Sequence, residues 1–222
     1  AVVVPGARAG RRLLELLVER CEERKLALVP PRIVTSGALP ELLYRGADTA
    51  CSDSMRLLFW LKALRSFPPE KLRRILPSPP REDDFSGWSA LAAEIDSIYS
   101  ELSAAGRSFE DAGRICLECP DFVDEERWLV LHEVCRAYLN LLEEKRTADK
   151  YMLRAGALQA GELSFNGRIC LLSTVDLNEI SRRMLGLLDS EVLALVHAPA
   201  AMADFFDEFG CLKTAAWREL DI

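Results

Sequence analysis

Residues 1–18 read AVVVPGARAGRRLLELLV, and this stretch decides the fold prediction for the chain. Its first four residues form a short apolar, β-branched run, which is typical of a buried parallel strand. Pro5 and Gly6 end that run, and apolar residues recur at helical spacing from Leu13 onward. A strand, a glycine-containing loop and a helix in this order predict the first half of a mononucleotide-binding α/β unit.

The loop has the spacing of the phosphate-binding motif G-x4-G-K-S/T, but not its chemistry. It reads Pro5-x4-Gly10-Arg11-Arg12. Arg11 keeps a positive charge where the lysine of the motif contacts phosphates, whereas Arg12 replaces the hydroxyl that ligates Mg²⁺. Pro5 removes a backbone donor and fixes φ. Two interpretations stay open. The stretch is either the remnant of a phosphate loop or, as the sequence favours, an ordinary strand-to-helix turn. Its residues are Pro5, Gly6, Gly10, Arg11 and Arg12.

Strand patterns occur only near the two ends of the chain. They cover residues 32–35, 168–175 and 191–197, while apolar residues between about 46 and 161 recur at helical spacing. Within this helical stretch, Ser108-x-x-Asp111 predicts a capping box. The pattern predicts an α/β core formed by residues 1–50 and 162–222, with a parallel sheet, and a helical insertion formed by residues 51–161.

Charge is distributed unevenly along the sequence. Residues 1–81 contain 15 Lys/Arg and 8 Asp/Glu, and the remaining residues contain 13 and 27. A basic block followed by an acidic one predicts two surfaces with different partners. The densest basic segment contains Lys62, Arg65, Lys71, Arg73, Arg74 and Arg81. These residues are candidates for binding the phosphate backbone of DNA, or else they form the solvated faces of two amphipathic helices.

Cysteine usage and hydropathy indicate the compartment. Seven cysteines without a disulfide-framework pattern predict a reduced, cytoplasmic chain. No apolar run reaches the roughly eighteen residues that span a bilayer, so no membrane partner is expected.

Two residue patterns are compatible with metal chemistry. Asp176 follows the strand pattern at 168–175, where nucleotide hydrolases carry a Mg²⁺-binding acid. It is either a remnant of such an acid or, as the sequence favours, the N-cap of the next helix. Zinc-ligand spacing occurs in the set Cys116, Cys119, His132 and Cys135. Because two of these cysteines lie on apolar helix stripes, the sequence favours ordinary core positions for them and predicts no metal site. It also predicts no catalytic residues.

Taken together, several stretches resemble AddB-type subunits of helicase–nuclease complexes. The resemblance includes VVVPGARAGRRLLELL (2–17), PRIVTSGAL (31–39), RAYLNLLEEKRTADKYMLRAGAL (136–158), RICLLSTVDLNEISRRMLGLL (168–188) and FFDEFGCLKTAAW (205–217). In the family, the first region resembles the first motor domain of superfamily 1 helicases, and the tail resembles segments of relatives that carry a PD-(D/E)XK nuclease domain further on. Asp149 matches the aspartate that follows a tyrosine and a leucine pair, and Asp176 follows the stretch that resembles the Walker B strand.

The resemblance implies a sheet of P-loop NTPase or helicase motor type, used in DNA repair and recombination. Because Arg11 and Arg12 replace the Walker A residues and no acidic pair follows the Walker B strand, it implies a scaffold or DNA-scanning role without ATP hydrolysis. The expected partners are DNA and a helicase or nuclease, either as a separate subunit or as a domain beyond residue 222. The alternatives are a degenerate domain that still binds ATP and Mg²⁺, and a pure protein-interaction module.

Overall fold

The computed structural model describes residues 1–118 and 124–218 and divides the chain into two compact units. Unit 1 contains residues 1–45 and 157–222, and unit 2 contains residues 46–156. The prediction of an α/β fold with a parallel sheet is confirmed, and the sheet lies in unit 1.

Unit 1 is built on four short parallel strands. They are β1 (Val2–Val4), β2 (Ile33–Thr35), β3 (Ile169–Leu172) and β4 (Val192–Leu195), in the spatial order β2-β1-β3-β4. The register pairs Val2 with both Ile33 and Cys170, and it pairs Cys170 with Leu193. The chain moves from β1 to β2 on one side and from β3 to β4 on the other, so the strand order reverses between β1 and β3.

The central strand β1 is apolar because the sheet is covered at this point. Val3 and Val4 are buried, as are Ile169 and Leu171 of β3. Helix α1 (Ala7–Glu23) follows β1 and lies close to the sheet at Gly10. A Cβ on Gly10 would lie 3.1 Å from Ile33 Cγ2 and 3.5 Å from Val4 Cγ2, so a glycine allows the close approach of helix and sheet.

The rest of unit 1 consists of short elements. Turns of 3-10 helix cover Ser36–Ala38, Pro40–Leu42 and Ala200–Phe205, and the α-helices are α8 (Glu179–Gly186) and α9 (Thr214–Arg218). Helix α7 (Lys150–Ala160) contains the boundary between the two units.

Helices and their connecting loops make up unit 2, and no strand occurs among its described residues. Its helices are α2 (Asp53–Arg65), α3 (Pro69–Leu72), α4 (Phe85–Ala104), α5 (Phe109–Leu117), α6 (Glu125–Glu144) and the first part of α7; a 3-10 turn covers Ala47–Thr49. Their apolar faces form one core, whose largest fully buried side chains include Trp60, Tyr138 and Phe109.

Local signals define several helix starts in unit 2. Ser52 caps α2 by accepting a hydrogen bond from the Met55 N–H. The predicted capping box is confirmed: the Asp111 N–H donates to Ser108 Oγ at 3.0 Å, and the Ser108 N–H donates to Asp111 Oδ2 at 3.0 Å.

No helix in the described part of the chain combines the length and apolarity needed to cross a bilayer.

Candidate nucleic-acid interface

The connection between β1 and α1 is two residues long. Pro5 and Gly6 leave the strand, Gly6 is extended (φ −165°), and α1 begins at Ala7. Gly10, Arg11 and Arg12 therefore lie within the helix. The N-cap residue Gly6 offers no side-chain acceptor to the first helical N–H groups, so these groups are available to an anion.

The two arginines of this stretch have different surroundings. Arg12 is exposed, and its guanidinium lies 3.0 Å from a Glu15 carboxylate oxygen and 3.5 Å from one of Glu19. These carboxylates raise the pKa of Arg12 and neutralise its charge locally. Arg11 is exposed one position earlier, and it has no ion pair within the described ranges. Arg11 is therefore the more available cation of the two.

The connection after β3 leaves the sheet next to the connection after β1. The order of strands reverses between these neighbours, and in open α/β sheets ligands bind outside the carboxyl ends of strands at such a point. Pro5 and Gly6 come from one strand, and Ser173 to Asp176 come from the other. Asp176 is exposed.

The expectation that Asp176 caps the following helix is wrong. Helix α8 starts at Glu179, and its N-cap is Asn178, whose side-chain oxygen accepts the Ser181 N–H at 2.9 Å. Three residues separate Val175 from the first helical residue, Glu179. The connection begins at Ser173, which has a positive φ of 52°. Asparagine is as favourable an N-cap as aspartate, so the local sequence did not distinguish Asp176 from Asn178 as the cap.

The residues around β1 and β3 do not match a Mg²⁺–nucleotide site. The helix begins directly after Gly6, Arg12 supplies no hydroxyl to a metal, and its guanidinium already contacts two carboxylates. In the part of the chain that the structure describes, no group of three or more His, Cys, Asp or Glu residues is placed to hold a metal ion.

The basic segment of unit 2 lies on α2, on α3 and on the residues that follow them. The side chains exposed to solvent are those of Lys62, Arg65, Lys71, Arg73, Arg74 and Arg81. Lys71 Nζ lies 2.5 Å from Glu133 Oε2, and Arg74 Nη1 lies 2.5 Å from Glu126 Oε2. Both glutamates belong to α6, so carboxylates of a neighbouring helix neutralise two of the six cations.

Four cations of this segment have no carboxylate partner. Within residues 1–118 and 124–218 they have no ion pair, and they are Lys62, Arg65, Arg73 and Arg81. Arg65 donates to the backbone oxygen of Glu82 at 3.3 Å, which leaves its positive charge uncompensated. We call these four residues the free basic set. Such a set can contact phosphate oxygens, because each cation can replace a condensed counterion.

The sequence interpretation missed the two glutamates. Lys71 and Glu133 are 62 residues apart, and no local pattern relates them. Only the packing of α3 near α6 brings the carboxylates within reach of the basic side chains.

A buried ion pair connects α2 to α4 beneath the surface of unit 2. Arg56 Nε donates to Asp96 Oδ1 at 2.7 Å and its Nη2 donates to Oδ2 at 2.9 Å. Trp60 Nε1 donates to the same Oδ1 at 3.0 Å. The bidentate geometry fixes the relative positions of the two helices, because breaking a buried pair leaves an uncompensated charge.

Asp149 connects α6 to α7 in a similar way. Tyr138 donates its hydroxyl to Asp149 Oδ2 at 2.6 Å, and the Met152 N–H donates to Oδ1 at 2.8 Å. The Tyr138 ring stacks on Trp60 with 3.9 Å between centroids. The tyrosine and aspartate singled out in the sequence stretch 136–158 are thus joined by a buried hydrogen bond, which stabilises the helical core.

The residues with zinc-ligand spacing, for which the sequence favoured ordinary core positions, have different surroundings. Cys116 and His132 are half-buried, whereas Cys135 belongs to the hydrophobic core; Cys119 lies outside the described residues. Burial, followed by the charge of Asp149, raises the pKa of the Cys135 thiol to about 12. A thiol that stays protonated at neutral pH is a poor metal ligand, since thiolate is the coordinating form.

Comparisons with known proteins identified no relative of this chain. No protein-family model, no curated protein and no solved structure matches the chain.

Proposed function

We propose that this chain is a non-catalytic, helicase-like domain that engages DNA and docks a partner within a recombination and double-strand-break-repair helicase–nuclease. In this proposal, the sheet is of P-loop motor type and residues 51–161 form a helical insertion. The partner is a helicase or nuclease, on a separate subunit or further along the same chain. The resemblance to AddB-type subunits suggests this class of protein.

The observation that carries DNA engagement is the free basic set. Four exposed cations lie within twenty residues of each other in the sequence, and the carboxylates of α6 leave them uncompensated. Contacts from such cations to phosphates supply most of the non-specific affinity of proteins for DNA. On unit 1, the uncapped start of α1 and the exposed Arg11 offer a second place for a phosphate.

A role that does not depend on ATP is favoured by the chemistry after β1. The connection is only two residues long and begins with a proline. It provides no lysine to contact phosphates, and Arg12, whose guanidinium already pairs with Glu15, stands where a hydroxyl would bind Mg²⁺. DNA binding by this chain is therefore expected to be the same with and without nucleotide.

The test is the binding of a fluorescent DNA duplex with a single-stranded tail, measured by anisotropy across a salt series with and without ATP and Mg²⁺. Affinity that falls steeply with salt and is indifferent to ATP supports the proposal. Absence of binding at low salt would refute DNA engagement and favour the protein-interaction module. A clear ATP effect that is lost in Arg11→Ala would instead favour the degenerate nucleotide-binding domain.

A further inference from the structure

Strand β4 forms one edge of the sheet. The Ile169 N–H donates to Glu191 O at 3.0 Å, and the Ser173 N–H donates to Leu195 O at 2.8 Å. Backbone groups of alternate residues point to the same side of a strand, so residues 191, 193 and 195 face β3. The N–H and C=O groups of Val192, Ala194 and Val196 therefore face outward, and no strand pairs with them within the described residues. Such an edge is a template for another strand.

A groove of about 490 Å³ with a mixed apolar and acidic lining runs along this edge. Its lining includes Ala194, Val196, Pro199, Ala203 and Phe206, together with the exposed residue Glu208. On the opposite side of the strand's pleat, Leu193 and Leu195 expose 52% and 46% of their surface. An added strand would thus find apolar contacts on both of its faces as well as backbone hydrogen-bond partners.

The wall of the groove is held in place before any partner binds. Asp207 Oδ1 accepts the N–H groups of Phe209 and Cys211 at 2.9 and 2.8 Å, and its Oδ2 lies 2.6 Å from Arg182. Gly210 in this turn has a φ of 71°, and a Cβ there would lie 2.8 Å from Val196 Cγ2. The turn is therefore packed tightly on β4, which reduces the ordering cost of binding.

Charge indicates the chemistry of the occupant. Residues 187–213 contain five Asp/Glu and one Lys, and the Nζ of this Lys213 donates to the backbone oxygen of Asp204 at 3.1 Å. Arg168 and Arg182 neutralise Glu191 and Asp207, while Asp189 and Glu208 have no ion pair within the described ranges. Pairing β4 with its own copy would bring these like charges together, whereas a basic segment would be attracted.

We propose that the outer edge of β4 accepts an extended segment of a partner protein by strand addition. In this segment apolar residues alternate with polar ones, and Lys or Arg residues flank them. The alternation fills the groove on one side and covers Leu193 and Leu195 on the other, and the flanking cations face the uncompensated carboxylates. This docking surface lies on unit 1 and is independent of the free basic set.

The test uses a fluorescent nine-residue peptide in which valine and threonine alternate and a lysine stands at each end. We expect saturable binding to the full chain, and about tenfold weaker binding when alternate amides of the peptide are N-methylated, because backbone donors are removed. Replacing the peptide lysines by glutamates, or Glu208→Lys in the protein, should weaken binding about threefold or more. Glu162→Lys, an equal charge change outside the groove, is the matched control.

A protein variant complements the peptide series. Ala194→Pro removes an outward N–H that β3 does not use, and an edge strand tolerates proline at such a position. This variant should lose peptide binding; if it fails to fold, the N-methylated peptide decides. Absence of saturable binding, or equal binding of the N-methylated peptide, would overturn the proposal. A concentration-dependent dimer of the wild-type chain that Ala194→Pro abolishes would overturn it as well, by assigning the edge to a second copy.

Discussion

The salt dependence of DNA binding offers the sharpest test of the free basic set. If all four of its cations contact duplex phosphates, the slope of log K against log salt is about −3.6, and affinity falls about 150-fold between 50 and 200 mM salt. The double substitution Lys62→Gln/Arg65→Gln leaves two cations and should reduce the slope to about −1.8, so that affinity falls only about 12-fold over the same range. Both side chains are exposed on α2, so folding should be unaffected.

The assay is anisotropy of the tailed duplex at five or more salt concentrations, with thermal unfolding as the check on folding. Arg136→Gln/Lys145→Gln is the matched control, because it removes two exposed cations of unit 2 that lie outside the basic segment. The reasoning is refuted if the Lys62/Arg65 variant keeps the wild-type slope, or if the control changes the slope by the same amount.

Three further results are expected. Glu126→Gln/Glu133→Gln frees two cations of the basic segment, so the slope should steepen towards about −5.4, and an unchanged slope in the DNA titration would exclude this competition. Tyr138→Phe keeps the ring but removes the hydroxyl donor to the buried Asp149 Oδ2, while the Met152 N–H still donates to Oδ1; this change should lower the free energy of unfolding in urea by about 2 kcal/mol, and a change below about 0.5 kcal/mol would contradict the role of this hydrogen bond. Burial raises the pKa of the Cys135 thiol from 9.0 to about 12 in the folded chain, so the unfolded chain loses this proton first and stability falls by up to about 1.4 kcal/mol per pH unit between pH 9 and about 12. Cys135→Ala should lose less stability than wild type between pH 9 and 10.5, and parallel curves would be the contrary result.

Local signals explain how far the secondary structure could be predicted. The β-branched run before Pro5 forms β1, and Ser108 and Asp111 form both hydrogen bonds of their capping box. These features depend on neighbouring residues, which the sequence displays directly. The helix start after β3 shows where such signals fail, because Asp176 and Asn178 are both good caps and only the path of the chain selects the second.

The candidate interface could be predicted only in part. The sequence identified the six basic residues of the segment, but their net effect depends on α6, whose glutamates follow some 50 to 60 residues later. Likewise, the sequence left Gly10 open between a phosphate-loop remnant and the favoured strand-to-helix turn, and it did not indicate that this glycine lies inside α1 and allows the helix to approach the sheet. Neither outcome is encoded by spacing, since both require knowing which elements pack together.

The sequence by itself determined the α/β class, the positions of the strands at the two ends of the chain and the helical nature of the middle, because hydrophobic periodicity and turn residues act locally. Tertiary structure decided which charges remain free, which edge of the sheet stays open and where the groove beside Val196 lies. These properties arise from residues far apart in the chain, and their energies depend on distance and burial rather than on order in the sequence.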